Sequence, residues 1–204
     1  MSGEQFEQKS SSTAECSRKT RETQVEVSLN IHGQGKSSID SGMGFVDHML
    51  DLMAFWAGFD LNVQVSGDLE VDAHHSLEDT GICLGNVLAA IVSAQKGIYR
   101  IGWAKVPMDE ALAEVIVDIS GRPYLVYTAD VLPWTIFGEE KDIWREFFKS
   151  FSNRAGINLH INFAYGQNGH HLLEAAFKAT GLALKQALAY KAQEVSSTKG
   201  QLDY

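Results

Sequence analysis

The chain repeats itself, and the repeat limits its fold more than any other feature. Glu22 to Gly33 (ETQVEVSLNIHG) matches Glu110 to Gly121 (EALAEVIVDISG) without a gap. His48, Gly58 and Leu61 have the spacing of Glu146, Gly156 and Leu159. Glu78 and Gly85 have that of Glu174 and Gly181. Self-similarity at this length means one unit of strands, helix, strands, helix used twice.

Each copy carries the same polar cluster. His74-His75-Ser76-Leu77-Glu78 and His170-His171-Leu172-Leu173-Glu174 both read H-H-x-x-E. On a helix, residues three and four apart share a face, so each Glu lies near both of its histidines. Adjacent histidines diverge by about 100°, because a turn takes 3.6 residues. One pair therefore suits two different ions better than a single ion. Imidazole with carboxylate fits divalent transition metals. A single cluster is as well explained as a polar helix start. Two clusters, holding four of seven histidines, favour metal.

The 204 residues, 45% of them hydrophobic, suffice for one large core or two fused halves. A net charge of −9 argues against a general nucleic-acid surface, so an anionic ligand must meet locally gathered Arg and Lys. The two cysteines, Cys16 in a polar stretch and Cys83 in an apolar one, predict no disulfide and a reducing, cytoplasmic setting. Cys83 reads as a small core residue. No signal peptide is apparent, and the apolar run near Ile82 to Ala94 is too short to span a bilayer.

Residues 1–19 are polar and aperiodic and read as a disordered tail. Alternation predicts a strand over Glu22 to Ile31, a turn at Gly33-Gln34-Gly35 and a returning strand over Lys36 to Asp40. A helix is expected from Asp47 to Gly58, with Met49, Leu52, Met53 and Trp56 in the core. Strand Phe59 to Val65 precedes a long helix that begins within Asp72 to Glu78 and runs through Ala94. There Asp79 reads as a solvated or supporting charge at a helix start. Gly97 to Pro107 reads as irregular or extended, and Ala113 to Ile119 and Tyr124 to Tyr127 as strands. Trp134 to Glu140 reads as a loop and Ile143 to Phe151 as a helix. Strand Leu159 to Phe163, a Gly/Asn turn and a helix from His170 to about Ala192 complete the second copy.

The residues now carry a resemblance. They are Arg21-Glu22-Thr23, Gly42-x-Gly44-Phe45-x-Asp47-His48-Met49-Leu50 and His74-His75-x-x-Glu78-Asp79-Thr80-Gly81. Further matches are Pro107-Met108-Asp109-Glu110-Ala111-Leu112, Asp118-x-Ser120-Gly121-Arg122-Pro123-Tyr124-Leu125, Gly166-x-Asn168-x-His170-His171-x-x-Glu174 and Ser197-Thr198-Lys199-Gly200. Together they resemble imidazoleglycerol-phosphate dehydratases over about Arg21 to Gly200. With no phosphatase sequence alongside, the resemblance implies the single-activity form. It also implies an α+β fold, a two-layer α/β sandwich built from two repeated half-domains. The expected dehydratase domain covers residues 20–204, with repeats over about 20–106 and 107–193 and a phosphate-binding segment at 195–200.

By the same resemblance, two Mn2+ per active site are expected in a cytoplasmic homo-oligomer of 24 subunits that share their metal sites. The implied ligands are His48, His74, His75, Glu78, His170, His171 and Glu174. Many members have histidine where this chain has Glu146. Because Glu146 aligns with His48, it is expected to ligate as a carboxylate, which would make the site harder and favour manganese. The implied proton carriers are Glu174 and Glu22. Glu22, His48 and His74 are also expected at the substrate. The phosphate is expected to meet Arg100, Arg122, Lys178, Ser197 and Lys199. His160 reads as a structural or supporting histidine and His32 as exposed. The implied reaction removes water from a phosphorylated imidazole diol to leave a ketone, with metal on the ring stabilising its anion. No nucleic-acid or membrane partner is expected. Two other readings stay open: a metal-dependent hydrolase on the same fold, and a non-catalytic assembly glued by metal.

Overall fold

The alternation read from Glu22 onward becomes β3 (Thr23–Asn30), in which Thr23, Val25, Val27 and Leu29 are buried and the intervening residues face outward. The computed structural model describes residues 3–95 and 97–191. The remaining elements of the first half are β1 (Gly3–Gln8), β2 (Thr13–Lys19), β4 (Ser37–Asp40), α1 (Gly44–Ala57), β5 (Asp60–Gly67) and α2 (His74–Ser93). The second half contains β6 (Ile101–Met108), β7 (Ala111–Asp118), β8 (Tyr124–Thr128), the short β9 (Thr135–Ile136) and β10 (Glu139–Glu140), α3 (Asp142–Ala155), β11 (Asn158–Tyr165) and α4 (Gly169–Leu188).

The duplication is carried into the topology. One sheet has the order β1-β2-β3-β5-β4 and the other β6-β7-β11-β8, so β1 is the one addition to a shared four-strand plan. In both halves the last strand of that order runs parallel to its neighbour. The register is conserved too: Leu29 pairs with Leu61, and the aligned Val117 pairs with Leu159. The repeated glycines have a common task. Gly58 ends α1 at φ 75° and Gly156 ends α3 at φ 65°, the left-handed conformation that a residue without Cβ adopts freely.

Helices cover one face of each sheet, and the halves meet helix to helix. Gly81 and Gly85 of α2 bring it against Phe147 and Phe151 of α3, and Gly181 of α4 lies against Met53 and Ala57 of α1. The shared interior holds Met49 and Met53 from α1, Leu77 and Leu88 from α2, Phe147 and Phe148 from α3, and Leu173 and Phe177 from α4. Each half is a two-layer α/β sandwich, as expected, and the helix layers close on each other.

Several sequence expectations change. Residues 3–19 are not a disordered tail but β1 and β2, paired from Gly3 with Lys19 to Gln8 with Ala14. The inward positions of β2 are small or polar (Ala14, Cys16, Arg18), so its two-residue period is hidden in the sequence. Gly97 to Pro107, read as irregular or extended, includes most of β6, whose Ile101 and Trp103 are 50% and 63% exposed. The larger apolar residues there face outward, which inverts the usual cue. Within the Trp134 to Glu140 loop, β9 and β10 form a small hairpin. Trp56 is 39% exposed rather than in the core, and packs edge-on to Phe55 at 5.9 Å. Asp79 is buried, not solvated: it accepts a hydrogen bond from Arg18 Nε at 2.7 Å and another from Thr23 Oγ1. Cys16 and Cys83 are both free, and Cys83 is buried as expected, but Cys16, read as part of the tail, is buried as well. His160 lies exposed on the outer face, between Ile116 and Val126.

Candidate metal centre

Both H-H-x-x-E clusters open a helix. At α4, the Asn168 side chain accepts from the His170 backbone N–H at 2.9 Å and caps the first turn. At α2, Asp72 accepts from the His74 N–H at 2.8 Å. Each cluster thus begins where backbone N–H groups need partners, and its histidines project from a fixed turn.

The second cluster meets α1. His48 Nε2 lies 3.5 Å from Glu174 Oε1, and His170 Nε2 lies 3.9 Å from Glu174 Oε2. One donor atom from each of His48, His170 and Glu174 falls within 4.8 Å of the others. Glu174 is only 6% exposed, and Lys178 Nζ stands 3.2 Å from it. Burial lowers the His170 pKa, against the opposing pull of Glu174, and so favours the neutral imidazole that can ligate a metal. Beside it, Phe45 and Phe137 stack at 4.0 Å, with their rings 5.1 and 5.6 Å from that of His170. Phe137 holds a φ of 53°, strained for a side chain with a Cβ.

The first cluster is more open. His74 Nε2 is 3.9 Å from Glu78, and both side chains are more than two-fifths exposed. His75 Nδ1 is 3.1 Å from Asp68 and 3.9 Å from Glu22. Glu146 does not stand as His48 does. Its carboxylate contacts Lys149 Nζ at 2.6 Å and Arg145 Nη1 at 3.1 Å. The aligned neighbours of His48 are Asp47 and Asp51, so exchanging imidazole for carboxylate goes with exchanging acidic neighbours for basic ones.

The expected phosphate residues separate. Lys178 is at the centre, one helical turn beyond Glu174. Arg100 is not: its backbone N–H bonds Ala187 O at 2.8 Å, near the far end of α4, roughly 25 Å of helix from His170. Its guanidinium forks onto Asp118 at 2.6 and 3.0 Å, and its φ is 74°. Arg122 is exposed near the end of α3, where Gly156 approaches Gly121. Ser197 and Lys199 lie outside the described residues. Three acids escaped the sequence reading, one of them Asp109, whose carboxylate lies 3.8 Å from His171 Nε2. Asp68 contacts His75, and Glu110 contacts His171 Nδ1 at 2.7 Å. The repeat held a signal for Glu110, which aligns with Glu22. Asp68 had none.

Known proteins of one family are similar to this chain over nearly its whole length. Residues 41–184 match the family model for imidazoleglycerol-phosphate dehydratase. The enzyme of that name from Maridesulfovibrio salexigens is 60% identical over 191 residues, covering 94% of this chain and 98% of its own. That from Solidesulfovibrio magneticus is 63% identical over 188 residues, covering 92% and 96%. Among solved structures, the dehydratase from Staphylococcus aureus superposes with a TM-score of 0.79 at 37% identity, over 88% of this chain and 99% of that one. The Pyrococcus furiosus enzyme, in complex with (S)-C348, gives 0.80 at 35% identity over 91% and 99%. The chain therefore belongs to the imidazoleglycerol-phosphate dehydratase family, hydro-lyases of histidine biosynthesis.

Proposed function

We propose that the chain converts imidazole glycerol phosphate to imidazole acetol phosphate at a site that holds two manganese ions. The observation that carries this reading is the convergence of His48, His170 and Glu174 from α1 and α4. Two imidazoles and a carboxylate fit a hard-to-borderline divalent ion. The ligand set is His48, His74, His75, Glu78, Glu146, His170, His171 and Glu174, with Glu146 joining by release from Lys149. Bound metal supplies Lewis acidity to the substrate's imidazole ring.

The protein's own groups do the remaining work. Glu174 is buried between His48 and Lys178, which holds its carboxylate in place for proton transfer. Glu22 is 55% exposed and 3.9 Å from His75, where a mobile carboxylate can exchange protons with solvent. His48 and His74 flank the ring. Lys178, Arg100 and Arg122, with Ser197 and Lys199, receive the phosphate.

Arg100 stands too far along α4 to serve the metal group of its own chain. A site that uses both needs a second subunit, which supports a homo-oligomer, here a 24-subunit cytoplasmic assembly with shared sites. The outer face of the second sheet supports assembly too, since Trp103 and Ile116 pair there and Tyr124 is 63% exposed. No helix among the described residues is long and apolar enough to cross a membrane.

The test is turnover by metal-stripped protein before and after manganese is added. Ketone formed only with manganese is expected. Ketone at full rate without metal overturns the metal reading, and free phosphate in its place points to a hydrolase.

A further inference from the structure

In each H-H-x-x-E cluster the second histidine has its Nδ1 against a carboxylate. His75 Nδ1 lies 3.1 and 3.3 Å from the two oxygens of Asp68. His171 Nδ1 lies 2.7 Å from Glu110 Oε2. These acids do not occupy equivalent places. Asp68 follows β5 in the turn that leads to α2, whereas Glu110 sits in the turn between β6 and β7. The residue that aligns with Glu110 is Glu22, which reaches only to 3.9 Å of His75. The residue that follows β11 in the place of Asp68 is Gly166, which has no side chain to offer. The same contact at the same ring atom is thus made twice, from unlike parts of the two halves.

Neither acid is loosely placed. Glu110 Oε1 accepts from the backbone N–H groups of Gln167 and Asn168 at 3.1 and 2.8 Å, so the carboxylate is tied to the residues that cap α4. Asp68 is 18% exposed, and its own carbonyl accepts from Val71 N–H at 2.8 Å. An imidazole that donates Nδ1–H to a fixed carboxylate carries its free lone pair at Nε2. Its ring orientation is set and its basicity raised.

We propose that Asp68 and Glu110 are positioning residues, which hold the Nδ1 atoms of His75 and His171 so that each Nε2 is presented to a divalent ion. The inference rests on the metal reading above and adds to it which ring atom binds and what aims it. His48 and His170 face Glu174 directly through Nε2, so the same atom serves in all four rings.

The test is manganese affinity of the full chain, measured by equilibrium dialysis with electron paramagnetic resonance of the free ion, for D68N, E110Q and the parent. Removing a carboxylate behind a ligating histidine weakens binding by about 10- to 100-fold. That loss is expected in each variant, with an unchanged circular-dichroism melt of the metal-free protein and a smaller loss in E110D. E114Q, on the outer face beside Lys105 and Asn162, should bind as the parent does. Affinities of D68N and E110Q within twofold of a manganese-binding parent overturn the inference alone. A parent that binds no manganese overturns the metal reading and this inference together. If a variant's metal-free melt falls, the E110D and E110Q affinities decide. Equal losses in the two mean the acid serves only the fold.

Discussion

At the residue scale, the centre depends on a buried acid beside one amine among the described residues. Glu174 and Lys178 are 8% and 14% exposed at their side chains, and they stand one turn apart on α4. Removing one partner of such a pair strands the other's charge away from water. K178M should therefore destabilise the metal-free protein by about 3 kcal/mol in urea unfolding, near the low end for a broken buried pair. Its kcat/KM should fall by at least about 100-fold, or about 2.7 kcal/mol of transition-state stabilisation. An unchanged urea midpoint would show that Glu174 takes its compensation from His48 and His170 alone. The residue scale is also where sequence reasoning stopped earliest. The two clusters were legible because helical spacing and the repeat fix their faces, whereas His48 entered as a ligand only through the family resemblance. The ion pairs of Glu146 were not read, although Lys149 is three residues away, because its alignment with His48 drew attention to metal. Asp68 reaches His75 across a turn, and no periodicity records that.

At the scale of elements, the repeat carried most of the fold. Strands with one buried face announce themselves by alternation, as in β3, and helices by their apolar stripe. β2 and β6, the equivalent strands beside β3 and β7, escaped for the same reason. Small or polar residues fill Ala14, Cys16 and Arg18 of β2 and Gly102 and Ala104 of β6, because a helix lies close above them: a Cβ at Gly102 would strike the α4 backbone at Ala183 and Ala187. Close approach also defines the two helix crossings. A Cβ on Gly181 would come within 2.5 Å of Met53 O and 3.0 Å of Ala57 N, and one on Gly85 within 2.7 Å of Phe151 O. In an open helix, alanine for glycine gains about 1 kcal/mol. Here the backbone cannot move aside locally, and overpacking costs about 1–3 kcal/mol. G181A and G85A should each lower the melting temperature, despite the better helix former. A rise would mean that the helices separate without loss.

At the scale of the molecule, the chain is a pair of halves that share an interior. Each sheet is covered on one side by its own helices, and each helix layer is covered by that of the other half. A polypeptide of residues 1–95 or 96–204 alone would leave that layer in water, an apolar surface larger than a soluble monomer tolerates. The two pieces, expressed apart, should each lack a cooperative melt. Mixed, they should form a one-to-one complex with the circular dichroism of the intact chain. A cooperative melt in either piece alone would show that the halves are separate domains. Seen this way, the fold is a dimer whose subunits happen to be consecutive in one chain, and the short connection near residues 94–100 is a tether. Such a tether raises the local concentration of one half around the other to the millimolar range. The protein thus completes its own inner association at any dilution, however little of it is present.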